Sequence, residues 1–421
     1  MRTFYTLLFY LLLPAILCRL YWRGFKAPQY RQRWQERLGF YQRPLSSHVV
    51  WIHAVSVGET EAAFPLIKQL QLRYPQQRIL LTTTTPTGSA RVQALFAESV
   101  EHVYLPYDLP DVIGRFMANF QPKLAVMMEK EIWPNLFAAC AARQIPIFIL
   151  NARLSANSAR SYLKIPRLVK PALSNIQLIA AQTVDDQSRF IEIGAKPEQV
   201  EVQGNIKFDV LIDQQILEAG QTIRKKLFVG RYVWIVASTH QGEEELILSL
   251  FSILKAHIPS LLLLIVPRHP ERFQVVKKLC EEQGLTVVMR SDQTETVLAE
   301  NIDIYIADSM GELKMLYAAA DVAFVAGSLV AVGGHNVLEP AAIGVPVLFG
   351  AYMFNFQDIA QGMLDAGAAR QCHNLDELRD AMLALYEDVE FRHALIVNAK
   401  AFVEQNQGAV DRMVRLLAER F

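Results

Sequence analysis

Short apolar runs alternate with amphipathic stretches along most of this chain. From His48 onward the runs are VVWIHAVSV, RILLTTTT, HVYLP, KLAVMM, IPIFIL and IQLIAA. Between them lie segments of helical period such as EAAFPLIKQLQLRY, TGSARVQALFAE, DVIGRFMANF and WPNLFAACAAR. Val- and Ile-rich strands alternating with helices predict βαβ units on a parallel sheet covered on both faces. A charged, helix-prone stretch near 210–230 interrupts the pattern. It restarts with YVWIVAS, LLLLIVP, LTVVM, DIYIA, DVAFVAG and VPVLFG, and from Asp376 to Phe421 it reads as helices only. The expected class is α/β, with two doubly wound, Rossmann-like parallel-sheet domains in tandem. The expected boundaries are 1–22 for an apolar leader, 23–210 for the first domain, and 211–421 for the second with its terminal helices. Open parallel sheets bind ligands beyond the carboxyl ends of their strands, so the cleft between two such domains is the expected site.

The leader follows a different pattern. Thr3 to Cys18, TFYTLLFYLLLPAILC, is uncharged over 16 residues. As a helix it is about 24 Å long, slightly short of a ~30 Å bilayer core unless Leu20, Tyr21 and Trp22 extend it. Arg2 alone makes a poor n-region and no A-x-A site follows, which disfavours a cleaved signal. Bulky Leu17 before Cys18 disfavours a lipoprotein signal, leaving a retained membrane anchor. Arg19, Arg23, Lys26, Arg31, Arg33, Arg37 and Arg43 follow, interleaved with Tyr21, Trp22, Phe25, Tyr30 and Trp34. Basic residues beside an apolar segment mark a cytoplasmic side, and Trp and Tyr favour the interface. The basic side is expected to face lipid while Trp34, Leu38 and Tyr41 pack into a core.

Composition narrows the rest. Apolar residues make up 52% and charged residues 20%, which excludes a disordered chain. Lys plus Arg (42) balances Asp plus Glu (42), so net charge lends no support to nucleic-acid binding. The four cysteines are too dispersed for a metal or redox motif. There is no GxxxxGK[ST], no GxGxxG after a strand and no HExxH.

Candidate chemistry lies just after the strands. Ser56-Val57-Gly58-Glu59 follows the first; Gly58 permits a tight turn, and Glu59 is positioned to take a proton from an acceptor hydroxyl. An ordinary first-turn Glu complementing the helix dipole is the plainer alternative. Glu129-Lys130-Glu131 follows KLAVMM, where one Glu can raise the pKa of its neighbour, although a helix start reads equally well. Asn151-Ala152-Arg153 follows IPIFIL. In the second half Ser238-Thr239-His240 precedes a helix opened by Gly242-Glu243-Glu244, whose amides suit an anion. Arg268 and His269 follow LLLLIVP, and a guanidinium suits phosphate. Ser309 to Glu312 starts another helix. In Gly333-Gly334-His335-Asn336-Val337-Leu338-Glu339, the glycines admit backbone amides close to a phosphate. Asn336 caps the next helix, and Glu339 is placed to accept from ribose hydroxyls.

The string GSLVAVGGHNVLEPAAIGVPVLFG resembles the nucleotide-binding signature of GT-B glycosyltransferases. With HAVSVGET, TTTTPTGSARV, VYLPYD, MEKEIWPN, NARLSANS, STHQGEEE and PRHPERF, the chain resembles the 3-deoxy-D-manno-octulosonic acid (Kdo) transferases of lipopolysaccharide assembly, from the leader to the last helix. The resemblance implies a GT-B fold, CMP-Kdo as donor and lipid IVA, the tetraacyl precursor of lipid A, as acceptor. It implies inner-membrane attachment with the catalytic body on the cytoplasmic side. It implies Glu59 as general base, an active-site role for Glu129, and charge stabilisation by Lys207 in GNIKFD. It carries CMP contacts onto Arg268, His269, Met310, Gly311, Glu312, Asn336, Val337, Leu338 and Glu339. Lys130 stands where relatives often have Thr. Since CMP carries one phosphate, protein cations and helix ends suffice without cofactor or metal. Two rivals stand beside this reading: a GT-B-shaped epimerase of a UDP-sugar, and a non-catalytic membrane-bound carbohydrate-binding module.

Overall fold

The computed structural model describes residues 1–41, 46–292 and 297–418; Arg43 and Phe421 lie outside them. The chain divides into two compact units, Met1–Asp209 with Gln407–Phe421, and Val210–Asn406.

Unit 1 holds a seven-stranded parallel sheet of order β3-β2-β1-β4-β5-β6-β7. The strands are β1 (Val50–His53), β2 (Ile79–Thr83), β3 (Glu101–Tyr104), β4 (Leu124–Met128), β5 (Ile147–Ala152), β6 (Leu178–Ala181) and β7 (Val200–Val202). Every residue of β1, β2, β4 and β5 is buried, as expected of strands covered on both faces. Trp51, Phe116 and Phe120 fill one face, while Ile52, Leu66 and Val92 fill the other. The order reverses between β1 and β4, which pair in parallel with Val50 opposite Leu124. Loops leaving the carboxyl ends of these two strands therefore diverge and leave a crevice.

Unit 2 repeats the plan with order β10-β11-β9-β8-β12-β13-β14. Its strands are β8 (Tyr232–Thr239), β9 (Leu261–Pro267), β10 (Val287–Met289), β11 (Ile304–Ile306), β12 (Val322–Val325), β13 (Val347–Phe349) and β14 (Arg370–Gln371). The reversal falls between β8 and β12. Twelve of the fourteen strands coincide with the apolar runs. The two exceptions, β7 and β14, are edge strands whose exposed Glu201 and Arg370 break up any apolar run.

The second domain was expected to extend through residue 421. The helix Ala409–Ala418 instead belongs to unit 1, with Val410, Met413, Val414 and Leu417 in its core. Asp209 fixes the return: its carboxylate accepts from the amides of Gly408 and Val410 at 2.5 and 2.6 Å.

The leader forms helix α1, Arg2–Lys26, long and apolar enough to cross a membrane. The basic collar divides. Arg19, Arg23 and Lys26 are exposed. Arg31 lies over the rings of Tyr21 and Phe25 at 4.1 and 4.0 Å. Arg33 pairs with Glu36 at 2.7 Å, and Arg37 is buried, donating to the carbonyl of Thr84. Tyr41 packs on Phe120, whereas Trp34 stays exposed.

Candidate active site

In unit 1, helix α2 (Val57–Arg73) begins directly beyond β1 and carries Glu59 in its first turn. One carboxylate oxygen accepts from the amide of Val55 at 2.7 Å, and the other from the hydroxyl of Ser56 at 3.4 Å. The side chain thus folds back onto the loop that leaves β1. Burial pushes its pKa up to about 8; the Val55 bond opposes this, and the charges of Glu129 and Glu131 add to it. The three acids after β1 and β4 therefore form one electrostatic group. Burial likewise raises Glu131, against the opposing Lys130. Glu129 leaves β4 at φ 62°, a left-handed conformation costly for a residue with a Cβ and characteristic of functional turns.

Gly58 has an explanation other than the expected tight turn. It sits in the helical first turn, and a Cβ there would meet nothing within 4 Å. Neither strain nor packing requires glycine; the residue leaves the surface beside Glu59 open. Lys207 occupies a 3-10 turn (Ile206–Phe208) packed against α2. Asn205 caps it through the amide of Lys207 at 3.0 Å, and Asn151 accepts from the amide of Ile206 at 3.1 Å. Asn151 is fully buried at the end of β5 with φ 53°, so it positions the lysine turn and does not line an open surface.

In unit 2 the residues after β8, β9 and β12 converge. The rings of His240 and His335 stack at 5.1 Å with their Nε2 atoms 2.8 Å apart, and His269 lies edge-on to His240 at 5.5 Å. Burial, then the neighbouring His240 and Arg268, hold His335 down at about 4; burial also lowers His240. The pair is neutral at physiological pH, with Arg268 and His269 exposed beside it. Gly327 (φ 69°) lies beneath, where a Cβ would approach His335 at 3.1 Å.

Glu243 differs from the expectation of a helix N-terminus open to an anion. Its buried carboxylate accepts from the amides of Gly327, Ser328 and Leu329 at 2.7, 3.2 and 3.0 Å. Glu244 is equally buried, bonded to Thr239 at 2.9 Å and paired with Arg272 at 3.0 Å. The loop after β12 is thus clamped by an internal carboxyl group, whose pKa burial raises against the opposing amide bonds. The Gly333 and Gly334 amides are also taken, at 3.2 and 2.8 Å from the Gly327 carbonyl. Both glycines have positive φ, and a Cβ at either would collide with Phe354, Asn355 or Met353. They are there to let the loop fold, rather than to present amides to phosphate.

Glu312 is held by Arg290 at 3.1 Å and by the Ser309 hydroxyl, and the Arg290 bonds keep its carboxyl below the usual range. The helix after it, Leu313–Tyr317, has only five residues, giving little dipole to an anion. Met310 is exposed, and Gly311 has open space. Asn336 caps the helix Leu338–Ile343 through the amide of Leu338 at 3.0 Å. Val337 and Leu338 are fully buried, so their side chains belong to the core; Glu339 is half-buried. Among the described residues no group of three or more His, Cys, Asp or Glu is arranged to hold a metal.

Residues 32–210 match the family model "3-Deoxy-D-manno-octulosonic-acid transferase (kdotransferase)", and residues 227–402 match "Glycosyl transferases group 1". A 3-deoxy-D-manno-octulosonic acid transferase of Haemophilus influenzae is 43% identical over 419 residues, covering 99% of this chain and 98% of that protein. The chain belongs to the Kdo transferase family. Its Bordetella pertussis relative is 36% identical over 378 residues, covering 88% of this chain and 87% of that protein. A solved UDP-GlcNAc 2-epimerase from Neisseria meningitidis superposes with TM-score 0.58, covering 88% of this chain and 99% of that one. At 15% identity it shows only that the Kdo transferase chain shares the two-domain GT-B fold. The epimerase rival thus rests on fold alone.

Proposed function

We propose that this protein transfers Kdo from CMP-Kdo to lipid IVA at a membrane surface, with Glu59 as general base. The observation that carries the reading is the family match over nearly the whole chain, combined with a carboxyl held near pKa 8 at the strand-order reversal of unit 1. A base tuned close to the working pH transfers protons most effectively. In the proposed reaction the acceptor hydroxyl oxygen forms a bond to the anomeric carbon of Kdo. Its proton passes to Glu59. The bond from that carbon to the phosphate oxygen breaks, and CMP leaves with the electron pair. A single displacement inverts the anomeric centre.

Unit 1 supplies the base and unit 2 the donor cradle. Glu129 and Glu131 raise the basicity of Glu59 by their charge. Lys207 balances the negative charge of the sugar carboxylate. Arg268 and His269 are exposed donors suited to the phosphate, with the neutral His240–His335 pair beside them. Asn336 and Glu339 carry the nucleoside contacts. The Arg268 guanidinium with neighbouring hydrogen-bond donors suits one phosphate, so the reaction is proposed to need no metal. Exposed apolar residues of α1 with Arg19, Arg23 and Lys26 bring the enzyme to its lipid acceptor on the cytoplasmic side of the inner membrane.

The test is mass spectrometry of lipid IVA incubated with the purified protein and CMP-Kdo. The expected result is a gain of one or more Kdo units. No gain with fresh donor, or turnover of a UDP-sugar instead, would overturn the assignment.

A further inference from the structure

Helix α1 has two apolar faces along its whole length. Tyr5, Phe9, Leu13, Leu17, Leu20 and Gly24, at helical spacing, are buried or half-buried. On the opposite side Phe4, Leu7, Leu11, Ala15, Cys18 and Trp22 are exposed. The first face is fastened to unit 1 even at its far end. Thr6 bonds Asn135 at 2.9 Å, the Tyr10 hydroxyl donates to Asp111 at 2.5 Å, and Phe9 meets Tyr107 at 6.1 Å. Tyr5 donates to buried Asp108, which also accepts from the amides of Asn135 and Leu136.

These contacts conflict with a membrane crossing. From Tyr5 to Gly24 the protein-facing stripe runs about 28 Å, close to the ~30 Å of a bilayer core. A crossing helix would carry Asp108, Asp111 and the surface around them into hydrocarbon, where charged groups are strongly disfavoured. Laid flat, the helix keeps every contact to unit 1 and offers its other face to lipid. The charge pattern agrees. No acidic residue precedes Glu36, and Arg19, Arg23 and Lys26 stand exposed beside Trp22. Cationic and aromatic residues along an apolar face suit the headgroup boundary of anionic lipid.

We propose that α1 lies in the plane of the membrane, between unit 1 and a single anionic leaflet, and does not cross the bilayer. This rests on the membrane attachment proposed above. The test uses the full chain in a Cys18→Ser background, in sealed inner-membrane vesicles of known orientation, with an impermeant maleimide. Thr3→Cys is compared with Glu98→Cys on the exposed surface of unit 1. Both should label from the same side, and Tyr10→Cys with Asp111→Cys should form a disulfide on mild oxidation. Labelling of Thr3→Cys only from the side opposite Glu98→Cys would overturn the in-plane placement while leaving attachment intact. Recovery of the protein in the soluble fraction would overturn both. Efficient Cys18–Cys18 cross-linking in the otherwise unaltered protein on vesicles would show a second copy on this face, overturning the lipid assignment.

Discussion

Replacing Glu59 by Gln removes a charge and a proton-binding site while keeping an oxygen to accept from Val55. An unfolded Glu titrates near 4.5, and the folded one near 8. Between these values the folded protein holds a proton the unfolded chain has lost, so Glu59 makes stability fall as pH rises, levelling off above about 8. At ~1.4 kcal/mol per pH unit, the loss at pH 7 is on the order of 3 kcal/mol; residual exposure and screening reduce it to about 1–2 kcal/mol. Glu59→Gln abolishes this loss. The transition of a body the size of unit 1 should rise by about 2–8 °C at pH 7, at ~2–4 °C per kcal/mol, and hardly change at pH 5. Calorimetry of both proteins from pH 5 to 8 measures it. Transfer by the same variant should fall about 100- to 10,000-fold while CMP affinity is kept, since the cradle is untouched. A melting difference independent of pH would refute the buried, proton-retaining carboxyl. Retained transfer would refute its role as base.

Four further outcomes are expected. In the unaltered enzyme, kcat/KM for the acceptor should rise with pH along a limb near 8, checked by initial rates at saturating donor. Gly58→Ala should leave the melting temperature unchanged or slightly higher, because alanine favours helix, yet raise the acceptor KM at least tenfold by filling the open surface beside Glu59. Glu243→Ala should strip three loop amides of their acceptor, destabilise unit 2 by about 2–4 kcal/mol and weaken CMP binding, read by denaturant titration and calorimetry. EDTA should leave transfer rates unchanged, measured by mass spectrometry of the product.

Much of this arrangement was legible in the sequence because parallel strands buried on both faces are written as uninterrupted apolar runs. The residues after each run then fall at the carboxyl edge. Glu59, Glu129, Arg268 and His269 were placed just beyond strand ends in this way, and the structure puts them there. The His240–His335 pair was not, since its members stand 95 residues apart and each looks like an isolated histidine. Glu243 misled for a different reason. A Glu before a helix normally faces water, and only the three-dimensional loop after β12 gives it amides to bind. Gly333 and Gly334 were expected to bring amides close to a phosphate, but both amides are bonded to the Gly327 carbonyl. Their freedom serves close packing on Met353 and Phe354, which no local pattern discloses. Arg37 reads as one more charge in a basic collar, yet Tyr104 and the Thr84 carbonyl draw it inside. The return of the last helix depends on Asp209, a carboxylate whose partners lie some 200 residues further on.

That return makes unit 2 an insertion within unit 1, and the insertion orders events during synthesis. Residues 210–406 form one contiguous stretch that has all its own strands as soon as it emerges. Unit 1 has all seven strands much earlier, but the patch awaiting Val410, Met413, Val414 and Leu417 stays uncovered until those residues are made. At ~5–20 residues per second, the delay is about 10–40 s. Throughout it the half-finished unit carries an exposed apolar surface next to α2, the helix that bears Glu59. The core beneath the Glu59 helix is therefore completed last, after unit 2 has closed its own. A nascent chain stalled before residue 407 should bind CMP, fail to transfer, and be a preferred substrate for chaperones.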